Sequence, residues 1–131
     1  MAERTTSSRR VVLAVVLDVV AVLVFVVIGR SSHGEALGIP GLLTTFWPFL
    51  VGLAIGWAAA QAWKHPFRLP LPGVPIWLIT VIGGMLFRVL SGQGTAPSFI
   101  AVATVVLGIL LIGWRAVATL VARRRTRAGL T

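Results

Sequence analysis

Asp18 is the residue in this sequence that most asks for a chemical explanation. It stands in LDVVAVLVFVVIG, residues 17–29, where every neighbour is apolar or glycine. A carboxylate in such a run can handle protons, meet a cation, or pair with a fixed charge of opposite sign. Arg115, in LLIGWRAVATL, is equally isolated among apolar residues and could supply that charge. A second group, Arg30, His33, Glu35, Arg88 and Gln93, falls where apolar runs end. Two guanidiniums and an imidazole around one carboxylate could bind an anionic headgroup or small acid, or sense pH through His33. The plainer reading is that Glu35 pairs with Arg88 or Arg30 and fastens a loop. His33 and Glu35 also share the H-x-E spacing of zinc deaminases, but that site needs cysteine ligands, and the chain has none. No metal or cofactor is expected. P-loop, dinucleotide, G-x-S-x-G and H-E-x-x-H patterns are all missing. Three acidic residues leave few general bases, so no enzyme is expected either.

The elements that must position these residues follow from composition. Of 131 residues, 57% are hydrophobic and 11% charged, against roughly 25% charged in a soluble domain. Four apolar runs of about 20 residues account for most of the chain. Charged, glycine and proline boundaries place them at 11–28, 44–63, 74–90 and 97–122. The first, at 1.5 Å per residue, is about 27 Å long and just crosses the hydrocarbon. Strands are excluded because the runs are too long and lack period-two alternation, and helices satisfy their own backbone in lipid. The expected fold is an all-α, membrane-embedded four-helix bundle. Its domain, residues 11–122, is flanked by a basic N-terminus, 1–10, and a basic tail, 123–131.

Orientation follows from the distribution of Lys and Arg in short loops. Arg4, Arg9, Arg10, Lys64, Arg68, Arg123, Arg124, Arg125 and Arg127 all fall on one side, and the other loops hold only Arg30, with Arg88 just inside a helix end. Both termini are expected to be cytoplasmic. Trp63, Trp77 and Trp114 fit an interfacial belt on that side and Trp47 one on the other, while Trp57 lies deeper. SSRRVVLAVV has the look of a twin-arginine leader, but Asp18 and the lack of an A-x-A site favour a retained first helix.

Lipid tails are as apolar as leucine, so such helices associate through small residues that let backbones approach. Gly52, Gly56 and Ala60 repeat at four-residue spacing, Gly84 and Thr80 share the face of Arg88, and Ala101, Thr104 and Gly108 share the face of Arg115. Ala14 and Ala21 flank Asp18. Asp18 lies eight residues past Arg10 and Arg115 eight before Arg123, so both sit about 12 Å from the same boundary. At equal depth, on faces rich in small residues, they are expected to form an ion pair. The alternative has Arg115 snorkelling to the headgroups.

The blocks GRSSH (29–33), WPFLVG (47–52), WLITVIGGMLFR (77–88), GQGTAPSF (92–99) and GWR (113–115) together resemble a bacterial membrane-protein family catalogued as domain of unknown function 3054. The resemblance runs from about Leu17 to Ala118. It implies a small multi-pass protein of the bacterial inner membrane, without an activity, substrate or catalytic residue. From the residues themselves, two functions stay open. One is a structural or accessory membrane component, contacting the bilayer and anionic inner-leaflet lipids and pairing with itself or a partner membrane protein. The other is a small oligomeric transporter or channel with Asp18, Arg88 and Arg115 lining a polar path. Nucleic acid is not an expected partner, since charge alone would speak for it. Alkaline phosphatase fused after Thr131 should be inactive, and fused near Gly38 or Gln93 active; strong activity at Thr131 overturns the orientation.

Overall fold

In the computed structural model, which describes residues 2–32, Gly34 and residues 37–127, the apolar runs are helices. α1 is Ala2–Ser32, α2 Ile39–Ala60, α3 Gly73–Leu90 and α4 Pro97–Arg127. A single 3₁₀ turn, Ala62–Lys64, follows α2, and no strand occurs among the described residues. All four helices are long and apolar enough to cross a membrane. Large apolar side chains such as Val12, Val20, Leu86, Val105, Ile109 and Val117 remain exposed on their outer faces. Helices apolar on all sides belong in lipid, not in water.

The helices outrun the apolar segments expected from sequence. α1 extends back to Ala2 because no glycine or proline precedes Val11, and α4 carries on through Arg127 for the same reason. α2 starts at Ile39 instead of Thr44, with Pro40 in its first turn, where a missing N–H costs nothing. It ends at Ala60 instead of Trp63, because Gln61 turns left-handed (φ 49°, ψ 49°) and donates its N–H to the Ala58 carbonyl.

Around the bundle, α1 packs on α2, α2 on α3, α3 on α4, and α4 back on α1. The α2–α3 seam is the closest, and its glycines are the cause. A Cβ on Gly52 would lie 2.9 Å from the Thr80 carbonyl oxygen, and one on Gly83 3.1 Å from the Gly52 Cα. Gly56 faces the Ile76 backbone, and Gly84 is covered by the Phe49 ring. Ala60, the third member of the spacing, is only partly buried against the core. Such backbone contact gives dispersion energy in a solvent that offers no hydrophobic drive.

On α4 the small-residue face requires a correction. The buried line is Ala103, Leu107, Leu111 and Arg115, while Ala101 is exposed. Four-residue steps advance by about 40° beyond a full turn, so the buried ridge slants around the helix as ridge packing demands. Gly108 sits at its edge, where a Cβ would stand 3.0 Å from Trp77 Nε1. The atoms nearest to it are those of the indole.

The core has two levels. Towards the end holding residues 91–96, Phe25, Phe49 and Phe99 from α1, α2 and α4 meet ring to ring, at centroid distances of 4.9, 6.0 and 6.1 Å. Towards the terminal end lie Asp18 and Arg115, both wholly buried. Since Gly52 meets backbone and Gly113 has no non-local atom within 4 Å, the two glycines should respond oppositely to alanine. Gly52→Ala should cost about 1–3 kcal/mol by overpacking, while Gly113→Ala should be neutral or gain up to about 1 kcal/mol of helix propensity. Thermal unfolding in detergent measures both.

Candidate functional site: a buried ion pair held by two indoles

The site begins with the direction in which helical side chains lean. On any helix they slant toward the N-terminus, and on α4 that direction runs from the basic end into the bundle. Arg115 therefore points inward along its own helix, and its Nη1 donates to the Leu111 carbonyl one turn back, at 3.0 Å. Its guanidinium meets Asp18 on α1 as a fork: Nη1 donates to Oδ1 at 2.8 Å and Nη2 to Oδ2 at 2.7 Å. Nε donates to the Pro66 carbonyl at 3.0 Å. Neither side chain is exposed at all, so Arg115 does not snorkel to the surface.

Asp18 receives two further donors. Trp57 Nε1 on α2 donates to Oδ2 and Trp114 Nε1 on α4 to Oδ1, each at 2.8 Å. Each carboxylate oxygen thus accepts one guanidinium and one indole N–H. A carboxylate is acceptor-only, and here four N–H groups from two helices point at it. Among the described residues, Thr80 Oγ1 is by contrast a buried side-chain oxygen without a partner.

The segment joining α2 to α3 closes the site from the terminal end. Pro66 is buried under Arg115, and Phe67 stands edge-on to Trp114 at 5.2 Å. Arg10 lies over the Phe67 ring at 5.0 Å, and Arg115 over the Trp114 ring at 4.4 Å. Cation, ring, ring and cation follow one another from the basic surface to the ion pair, each contact adding on the order of 1 kcal/mol. Gly73, the first residue of α3, makes room: a Cβ there would stand 3.0 Å from Arg115 Cδ and collide with Leu69.

Sequence reasoning did not assign Trp57, Trp114, Pro66 or Gly73 to the site. Trp57 carried a signal, since a tryptophan too deep for an interfacial belt needs an acceptor for its N–H. Trp77 and Trp114, expected in a belt, both turn inward, and Trp114, next to Arg115, lies at about the depth of Asp18. Trp77 Nε1 donates to the Thr104 carbonyl at 2.9 Å. Trp63 and Trp47 keep exposed faces as belt residues do.

At the opposite end, Arg30, Arg88 and Gln93 gather around a cavity of about 260 Å³ that Thr44, Thr45 and Phe99 also line. Arg30 Nη1 donates to Thr45 Oγ1 at 3.0 Å, Arg88 Nη1 to Gln93 Oε1 at 2.9 Å, and Arg88 Nε to the Gly94 carbonyl at 2.9 Å. Arg88 also lies 4.1 Å over Phe99, and Gln93 Nε2 donates to the Thr44 carbonyl at 3.1 Å. This ties α3 and the 91–96 segment to α2. His33 and Glu35, expected in this cluster, lie outside the described residues. No group of three or more His, Cys, Asp or Glu able to hold a metal occurs among the described residues.

Four apolar helices around a wholly buried ion pair define a multi-pass α-helical membrane protein. The family model described as "protein of unknown function (DUF3054)" matches residues 15–118, and the chain belongs to that family. No curated protein and no solved structure matches it.

Removing one member of a buried pair strands the other charge, at about 3–5 kcal/mol, whereas removing both does not. Asp18→Asn and Arg115→Leu should each destabilise the detergent-solubilised protein on that scale, and the double variant should regain part of the loss. Trp57→Phe should cost about 2 kcal/mol, as for a hydrogen bond to a charged acceptor, and less in the double variant. Additive losses in thermal unfolding would show that the four side chains do not act together.

Proposed function

We propose that this protein is a structural or accessory component of a bacterial inner membrane, with both termini in the cytoplasm and no chemistry of its own. The observation that carries this reading is the complete satisfaction of Asp18. A residue that relays protons or ions must exchange partners with water or cargo, and this one is shielded by a fork, two indoles and the Pro66 segment. Such a carboxylate fastens helices. The orientation draws its support from the nine Lys and Arg residues at the terminal end.

A transporter or channel is the second reading, favoured by the presence of intramembrane charge itself. Against it, Arg88 lies at the far end over Phe99. Phe25, Phe49, Leu107 and Leu111, all wholly buried, belong to the core between that end and the ion pair. Asp18, Arg88 and Arg115 thus do not form a line within one protomer, and transport would require a path between copies. Reconstitution into liposomes tests the two. Proton flux, read by an enclosed pH dye, and ion conductance should both equal those of protein-free vesicles. Flux that Asp18→Asn abolishes would replace the accessory reading with transport.

A further inference from the structure

The terminal end of the bundle carries a cleft of about 910 Å³ that the ion pair does not use. Its basic wall comes from three separate elements: Arg10 of α1, Arg68 of the segment between α2 and α3, and Arg123, Arg125 and Arg127 of α4. Among the described residues, no acidic side chain lines it. Its remaining surface is largely apolar and includes Phe67, Leu69 and Val121. α4 builds one wall only because it stays helical beyond its apolar run, through Arg127. Phe67 is held in place between Trp114 and Arg10.

Depth indicates what such a cleft would meet. From Pro97 to Ala122, α4 is about 39 Å long at 1.5 Å per residue, against about 30 Å of hydrocarbon. Its last apolar turn and the arginines beyond therefore lie at the level of lipid headgroups. Guanidiniums there match phosphate oxygens as two-pronged donors. The apolar lining suits a glycerol backbone and the first acyl methylenes, which a hydrated inorganic ion lacks.

We propose that this cleft is a binding site for the headgroup of an anionic glycerophospholipid, its phosphate held by arginines from α1, α4 and the intervening segment. The site rests on the orientation proposed above, which places it at the anionic leaflet. Binding by purified protein does not depend on which way the chain inserts in a cell, so the two can fail separately.

The test is lipid retention by the full-length protein, measured by native mass spectrometry after exchange into mixed phosphatidylglycerol and phosphatidylcholine. Wild type should retain phosphatidylglycerol preferentially. R123Q/R125Q/R127Q should lose that preference by about tenfold or more, a modest share of what three basic side chains contribute at an anionic surface. R9Q/K64Q/R124Q removes equal charge from residues outside the cleft and should keep it. Equal losses in the two triple variants would mean diffuse surface attraction and overturn the site. Displacement of the lipid by millimolar inorganic phosphate would assign the arginines to a soluble anion, and displacement by a short RNA would assign them to nucleic acid; either overturns the lipid. Unchanged thermal unfolding of both triple variants in neutral detergent shows that a loss is not one of fold.

Discussion

A carboxylate removed from water must be met by donors, because the unsolvated charge costs more than any single packing contact returns. In lipid the lone charge costs on the order of 2.5–3.5 kcal/mol on insertion scales. Around Asp18 that requirement reaches α2 through Trp57, α4 through Trp114 and Arg115, and the 61–72 segment through the Pro66 carbonyl that holds Arg115. It also reaches α3, whose first residue is a glycine because Arg115 Cδ lies against it. Neither α2 nor α4 can shift against α1 without unmaking a bond to this one group. The backward lean of helical side chains turns Arg115 from a surface anchor into an interior one.

The other half of the fold uses different physics. Between α2 and α3, glycines bring backbone to within contact of backbone, and the energy is dispersion spread over many atoms. α1 takes no part in that seam, packing on α2 and α4 instead, and it is α1 that carries the carboxylate. The bundle thus divides into a hairpin held by shape and two flanking helices held to it by polar bonds and by the Phe25, Phe49 and Phe99 rings. Hydrogen bonds between membrane helices average only about 0.6 kcal/mol, so a fork backed by two indoles concentrates at one point what is otherwise dispersed.

The four spans were legible because length and apolarity are local properties of the chain. Asp18 and Arg115 were legible as well, since matched depth on antiparallel helices follows from counting residues to a shared basic boundary. What sequence could not give was azimuth. On α4, Ala101 and Gly108 share a nominal face with Arg115, but the slant of the packed ridge turns Ala101 outward and puts Leu107 and Leu111 inside. Trp114 was read as interfacial, but counted from Arg123 it lies about 13 Å inside the basic boundary, and it shares Asp18 with Trp57. The helix ends ran past the apolar segments because arginine continues a helix as readily as leucine does, and polarity marks the membrane boundary without marking the end of a helix.

The pair joins residues separated by 97 positions, and this has a consequence for how the protein comes into being. Synthesis delivers α1 first and α4 last, so a nascent chain holds Asp18 in the membrane long before Arg115 exists. Trp57 is the earlier of its partners to emerge, in the very next helix, and it offers a single N–H. Until Arg115 has left the ribosome, the first helix holds a carboxyl group without its cationic partner, and the last helix to be made is the one that supplies it.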